Sequence, residues 1–329
     1  MPLLGLEPNP LQLLVSQFTP LPYPNSDCTG NVVIVTGANV GLGLEAARHF
    51  TRLNAAKVIL GCRDIEKGET AKADIEASTG KERVVEVWQV DLGSFESVKE
   101  FCGRAAQLDR LDVVLENAGV AASVYKQFEG YERQITVNVI STFLMALLLL
   151  PVLRRSSTQF NVTPTLVIVG SGGHFYANFR QHNAPSILEA LRGDVDMDDR
   201  YNVSKLLELL ITRELAEEMG SNGHTPVTLN IVNPGLCRSQ LNREAQFPLS
   251  WLLPIGVSLV GRTSEMGSRT LVHAALADHS THGKYLSDCE VRNPSSFVRS
   301  SNGEQAQKRT YEELLDLLEE LEPGIGANV

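Results

Sequence analysis

The chain has few cysteines, few aromatic residues and no excess of basic charge, and these shortages narrow what it can be. The five cysteines among 329 residues, Cys28, Cys62, Cys102, Cys237 and Cys289, are odd in number and scattered. None forms a CxxC pair, and none has a histidine beside it at zinc-ligand spacing. A reduced interior without a metal is therefore expected. His279 and His282 stand three apart, but Ser280, Thr281 and Gly283 around them read as a loop. Lys and Arg number 29 against 39 Asp and Glu, a formal charge of −10, which offers no basic footprint to nucleic acid. Long apolar runs are also missing. The run at 143–153 covers eleven residues, short of the ~20 a spanning helix needs. The stretch 247–260 is interrupted by Pro248, Pro254 and Gly256. No transmembrane span is expected, and because no cleavable leader is apparent around Glu7 and the early prolines, the expected compartment is the cytoplasm.

What is present is ordinary globular material, 43 % hydrophobic and 21 % charged, arranged with a clear alternation. Runs rich in β-branched residues at 31–35, 57–60, 83–87, 111–115, 165–169 and 227–232 predict strands. Helical spacing fills 44–53, 65–77, 94–106 and 204–219 between them. Such alternation predicts an α/β fold with a doubly wound parallel sheet. No low-complexity break divides the chain after residue 30, so residues 30–329 are expected to form a single domain preceded by an arm at 1–29. Near the C-terminus, Leu314, Leu317, Leu318 and Leu321 make one stripe among acidic residues, which predicts a docked helix.

The first strand runs into Thr36-Gly-Ala-Asn-Val-Gly-Leu-Gly43 and a helix. Glycines at Gly37, Gly41 and Gly43, with Asn39 and Leu42 between them, let a backbone turn close on a pyrophosphate at a helix N-terminus. The G-x-x-x-G-x-G spacing departs from the G-x-G-x-x-G fingerprint and is a modest signal alone. Further candidates stand at later strand ends, where such sheets bind ligands: Asp91, Asn117-Ala-Gly119, and Ser171 in Val169-Gly-Ser-Gly172. Asn138 opens the apolar helix. Tyr201 and Lys205, four apart, share one helix face.

In this order the motifs resemble the short-chain dehydrogenase/reductase family from Thr36 to Ser239, about two-thirds of the chain. Residues 61–64 and 200–210 are similar to its retinol-dehydrogenase-like branch and to fungal secondary-metabolism members. Glu116, where the family's strand-four motif begins with Asn, is a departure. The resemblance implies a Rossmann fold with Ser171, Tyr201, Lys205 and Asn138 as the catalytic set. Tyr201 would act as general acid and Lys205 would tune it, and Asn138 would hold Lys205 through water. It implies cofactor contacts at Gly37, Asn39, Gly41, Leu42, Gly43, Asp91, Asn117, Tyr201, Lys205, Pro234 and Ser239. Cys62 occupies the place of the Asp found in NAD-preferring members. Arg63 can fork onto a 2′-phosphate and Lys67 adds charge, so NADP (NADPH) is the expected cofactor. The expected reaction is hydride exchange with an alcohol, ketone or aldehyde of a lipophilic small molecule. Substrate loops are expected at 172–200 and 240–262, the first carrying Phe175, Tyr176, Phe179, Ile187 and Leu188 as an apolar lid. A sugar epimerase or other isomerase and a non-catalytic nucleotide sensor are the alternatives. The leucine-rich helices at 138–153 and 201–219 suggest a homodimer, with burial under the C-terminal segment as the competing explanation.

Overall fold

The computed structural model describes residues 15–193, 195–223, 226–238 and 260–329. In chain order the elements are β1 (Val32–Thr36), α1 (Gly41–Arg52), β2 (Lys57–Cys62), α2 (Ile65–Thr79), β3 (Val85–Gln89), α3 (Phe95–Ala105) and β4 (Val113–Glu116). A small hairpin, β5 (Gln127–Phe128) and β6 (Tyr131–Glu132), leads to a π-helical turn (Ile135–Ile140) that continues as α4 (Ser141–Phe160). After β7 (Thr165–Val169) come α5 (Ile187–Gly193), α6 (Arg200–Ser221), β8 (Thr228–Asn233) and α7 (Ser264–Ala275). The chain then forms β9 (Tyr285–Ser287), β10 (Glu290–Val291) and α8 (Ser301–Leu321).

The eight-stranded sheet runs β10-β9-β8-β7-β4-β1-β2-β3, and all its pairings are parallel except β9 with β10. Parallel strands buried on both faces read as continuous apolar runs; β1 is Val-Val-Ile-Val-Thr and β7 is Thr-Leu-Val-Ile-Val, buried throughout. The fold is the doubly wound, Rossmann-like sheet expected. Strand order reverses between β1 and β4, which opens a crevice at their carboxyl ends. Element boundaries differ from those expected by a few residues, and two of the shifts have a plain cause. The third strand starts at Val85 because Arg83 has φ +63°, a left-handed conformation that a strand cannot hold. The first helix begins at Gly41, so its opening turn is made by the glycine-rich segment itself.

Helices α1, α2 and α7 cover one face of the sheet, with Phe50, Ile75 and Leu271 in its core. On the other face α3, α4 and α6 pack over Phe101, Phe143 and Leu210, and α8 lies outside them, burying Tyr311, Leu314 and Leu318. Phe143, Leu147, Ile211 and Leu215 line one small apolar cavity together with Tyr311, Leu314 and Leu318. The surplus leucines that suggested a second subunit are therefore satisfied within the chain. The continuous helix Ile135–Phe160 is long and apolar enough to cross a bilayer, with mean hydropathy 2.2 over its most apolar stretch. Yet 89 % of that stretch is buried in the fold, which accounts for its composition.

The expected lid at 172–200 is corrected in large part. Phe179, Ile187 and Leu188 are 5 % exposed or less and join the core. The Phe179 ring stands edge-on to Phe297, and the N–H groups of Ile187 and Leu188 donate to the Glu313 carboxylate of α8 at 2.9 Å. Once α8 offered these side chains a dry partner, burial won over solvent-facing duty. Tyr176 is the aromatic that stays outside, 60 % exposed. Most of the other expected loop, 240–262, lies outside the described residues, as does most of the arm at 1–29 before residue 15.

Candidate active site

The glycine-rich turn is held from below. The Thr36 hydroxyl accepts from the N–H groups of Asn117 and Ala118 at 3.0 Å, and Asn117 Nδ2 donates back to the Thr36 carbonyl at 2.9 Å. Gly37 and Gly41 have φ near +63° and +64°, a conformation that costs an L side chain roughly 1–2 kcal/mol. At Gly43 a Cβ would stand 2.5 Å from Asn117 Nδ2 and 2.7 Å from the Gly37 carbonyl. Asn117 thus supports the turn, and its amide is already engaged.

The turn delivers α1 with an uncapped start. Its N-cap is Val40, which has no acceptor to offer. Helices α2, α3, α7 and α8 are instead capped by Asp64, Ser94, Thr263 and Ser300. Free N–H groups, the positive end of a helix dipole and a backbone with no Cβ in the way fit a pyrophosphate. Asn39 and Leu42 lie on this rim, half-buried. Cys62 is 1 % exposed, with the backbone N–H groups of Ala38 and Asn39 directed at its sulfur. Burial pushes its thiol up to about 11, so it is a neutral prop for the turn. Arg63 beside it is exposed, and its guanidinium has no partner among the described residues. Lys67 does pair, with Asp64 at 2.9 Å, and both are largely exposed. Asp91 is half-buried and accepts from the Gly93 N–H at 2.9 Å.

At the neighbouring strand ends the expected catalytic side chains converge. Ser171 follows β7. Its Oγ accepts from the Gly173 N–H at 3.0 Å, leaving the hydroxyl hydrogen to donate elsewhere. Ser171 Oγ and Tyr201 Cε1 each lie 3.4 Å from the point where a Gly173 Cβ would stand, so a glycine there lets the two approach. Tyr201 is half-buried on the first turn of α6, and Lys205 Nζ sits 5.9 Å from its ring centre. Lys205 is 6 % exposed, and its ammonium donates to the Val169 carbonyl at 3.0 Å and to Glu208 Oε1 at 2.8 Å. Asn138 lies in the π-helical turn, fully buried. It clamps the chain after β4 by exchanging bonds with the N–H and carbonyl of Val120, at 2.9 and 3.0 Å, and donates to Ser204 Oγ at 3.0 Å. Its direct protein partner on α6 is thus Ser204, while the point where a Gly119 Cβ would stand lies 3.3 Å from its Oδ1 and 3.6 Å from Lys205 Nζ.

Pro234 sits after β8, and its carbonyl takes a bond from Arg262 at 3.2 Å. Ser239 lies outside the described residues. Sequence reasoning passed over several supports. Asn233 Oδ1 accepts from the N–H groups of both Gly172 and Gly235, at 3.0 and 3.1 Å, tying the β7 end to the β8 end. His174 donates from Nδ1 to the Ser171 carbonyl at 2.7 Å and accepts from the Ser295 N–H at 3.3 Å, which fixes its tautomer. Burial pushes its pKa down to about 4, against a smaller opposing effect from the Ser171 bond. No periodicity marks such residues; only their place beside strand ends could have. Among the described residues no cluster of three or more potential metal ligands occurs.

Residues 31–172 match the short chain dehydrogenase family. The chain is 42 % identical over 319 residues to the short chain dehydrogenase/reductase dmxR8 of Cryptosporiopsis sp., spanning 94 % of this chain and 97 % of that one. It is 48 % identical over 278 residues to the short chain dehydrogenase atnD of Emericella nidulans, spanning 83 % and 88 %. Among solved structures it is similar to a short chain dehydrogenase from Pseudomonas syringae, with TM-score 0.61, 22 % identity and coverage of 82 % and 99 %. It is also similar to one from Escherichia coli CFT073 solved with NADPH, with TM-score 0.53, 25 % identity and coverage of 80 % and 99 %. The chain belongs to the short-chain dehydrogenase/reductase family, and its relatives include fungal oxidoreductases.

Proposed function

We propose that the protein is an NADP-dependent oxidoreductase that exchanges a hydride with a secondary alcohol, ketone or aldehyde of a lipophilic small molecule, within fungal secondary metabolism. The observation that carries this reading is a half-exposed Tyr201 with Lys205 buried behind it and Ser171 beside it. All three stand at the carboxyl end of the sheet, where the uncapped α1 also begins. Bound there, the nicotinamide supplies or takes the hydride. Ser171 donates to the substrate oxygen, and Tyr201 gives its proton to that oxygen as charge develops, or removes it in the oxidative direction. Lys205 holds its ammonium 5.9 Å from the Tyr201 ring centre, where it stabilises the negative charge that develops on the phenol oxygen as the proton leaves. Asn138 keeps the chain after β4 in register with α6, and with it the floor of the site.

The NADP preference rests on Arg63, exposed and unpaired among the described residues just after β2, next to a buried Cys62 that offers the ribose no carboxylate. It is supported by the NADPH bound to the Escherichia coli neighbour. The apolar substrate is supported by Val124, Tyr176 and Leu236, each more than 40 % exposed. They stand on the segments that follow β4, β7 and β8 at the carboxyl end of the sheet. Tyr201→Phe is the test: turnover of NADPH with a carbonyl panel should fall ~10²–10⁴-fold while NADPH still binds. Activity within tenfold of wild type would sink the assignment.

A further inference from the structure

Behind Tyr201 and Lys205 the fold buries two carboxyl groups that the chemistry above does not use. Glu208, one turn after Lys205 on α6, is 2 % exposed; its Oε1 accepts from Lys205 Nζ and its Oε2 meets no donor among the described residues. Glu116 ends β4 at 4 % exposure, and neither of its oxygens meets a donor among the described residues. The sheet register sets Glu116 opposite Ile168, one residue before the Val169 carbonyl that also receives Lys205. Glu116 therefore faces Glu208 from the sheet, while Glu208 holds the ammonium from α6. Tyr201 faces the ammonium on α6, and the Cys102 thiol faces Glu116 from α3, kept protonated by burial. The neighbouring contributions of the π-helical turn and β7 are the uncharged Asn138 and a backbone carbonyl.

Two buried carboxylates against one ammonium would leave a charge uncompensated, and an uncompensated buried charge is expensive. The arrangement that balances is Glu208 ionised against Lys205 with Glu116 carrying a proton. The electrostatics agree. Burial, then the charge of Glu208, holds Glu116 well above the usual carboxylate range. Burial lifts Glu208 to about 7 against the pull of Lys205. Lys205 itself ends up raised, because Glu208 and Tyr201 outweigh its desolvation.

We propose that Glu208, backed by Glu116, is a positioning residue that keeps the Tyr201–Lys205 couple loaded with its proton and so biases the site toward donating one, as carbonyl reduction requires. The inference rests on the roles assigned to Tyr201 and Lys205. Its sign does not depend on which of the two loses the proton, because a negative charge beside a coupled pair opposes proton loss from either. Tyr201 and Glu208 stand two helical turns apart, ~10 Å along α6, and at an effective dielectric of about 20 removing one charge at that range moves proton loss from Tyr201 by about one pH unit, or tenfold in the population of the deprotonated form.

The test needs no substrate. Tyrosinate ultraviolet absorbance is titrated for the wild type, Glu208→Gln, Glu208→Asp and the Glu116→Gln/Glu208→Gln double variant. Each is read as a difference from the same protein carrying Tyr201→Phe, which isolates Tyr201. Gln keeps an acceptor for Lys205 and removes the charge; Asp keeps the charge. The midpoint should fall by about one pH unit in Glu208→Gln, fall at least as far in the double variant, and stay near wild type in Glu208→Asp. A shift seen only in the double variant also supports the proposal, with Glu116 taking up the charge that Glu208 loses. An unchanged or raised midpoint in both, even with a lowered melting temperature, would reduce the pair to a structural ion pair and overturn it. If the double variant does not fold, Glu208→Gln decides by the same criterion. Retained turnover in Tyr201→Phe would instead remove the reading on which this one stands.

Discussion

Gly43→Ala isolates the cofactor turn from the rest of the fold. In an unconstrained helix the added methyl would help, since glycine is worth roughly 0.5–1 kcal/mol less than alanine there. Gly103 on α3 is such a position, with nothing within 4 Å of its would-be Cβ, and Gly103→Ala should raise the melting temperature. At Gly43 the same methyl meets Asn117 Nδ2 at 2.5 Å, the Gly37 carbonyl at 2.7 Å and Ala38 Cα at 3.1 Å. Two of these are backbone and cannot rotate away. Asn117 cannot yield without releasing the Thr36 carbonyl. Overpacking of this kind costs about 1–3 kcal/mol, and the way to relieve it is to open the turn. The helix gain offsets part of the cost in stability, leaving melting only modestly lowered. If the strain goes into the turn, NADPH should bind roughly 5- to 150-fold more weakly. Fluorescence titration of NADPH beside thermal melts of both variants makes the comparison. NADPH affinity within twofold of wild type in Gly43→Ala would refute the reasoning.

Arg63→Ala should weaken NADPH by roughly 10- to 150-fold, the value of about 1.5–3 kcal/mol for a hydrogen bond to a charged group. NADH should barely change, and equal weakening of the two would remove Arg63 from cofactor choice. Lys67→Ala should leave both affinities alone, because that ammonium already pairs with Asp64 at the surface. The His174 ring has a folded value near 4 against an ordinary 6.5, so its contribution is complete above about pH 6.5 and is lost as the pH falls toward 4. The loss amounts to about 3 kcal/mol. Urea unfolding at both ends of that window should show wild type losing more stability than His174→Gln, and parallel losses would contradict it. Light scattering at micromolar concentration should return the mass of one chain, because α8 occupies the faces of α4 and α6. A dimer that survives Leu318→Asp would point to another surface.

The sheet was legible because buried parallel strands must be written as nearly unbroken apolar runs, as β1 and β7 are. The ends were harder. A backbone turn at Arg83 shifts β3 by two residues without changing its composition. The short β9 and β10 carry too few residues to show a period. The motif order names Ser171, Tyr201, Lys205 and Asn138 together, and the fold brings them to the carboxyl end of the sheet. Glu208 reads in sequence as one more acidic residue on an exposed helix face. Its burial depends on α6 packing against both the sheet and α4, which no local window contains. The lid failed for the opposite reason: Phe179, Ile187 and Leu188 look like substrate contacts until α8, more than a hundred residues later, claims them.

Helix α8 also sets a schedule. The apolar faces of α4 and α6 leave the ribosome well before their cover does; α4 is complete about 140 residues ahead of α8. At ~5–20 residues per second that interval is on the order of ten seconds, during which the leucines of α4 have no α8 to meet. Nascent chains of this protein should therefore be clients for chaperones that hold exposed apolar helices. Slowing translation between the two helices should lower soluble yield even though every native contact is unchanged.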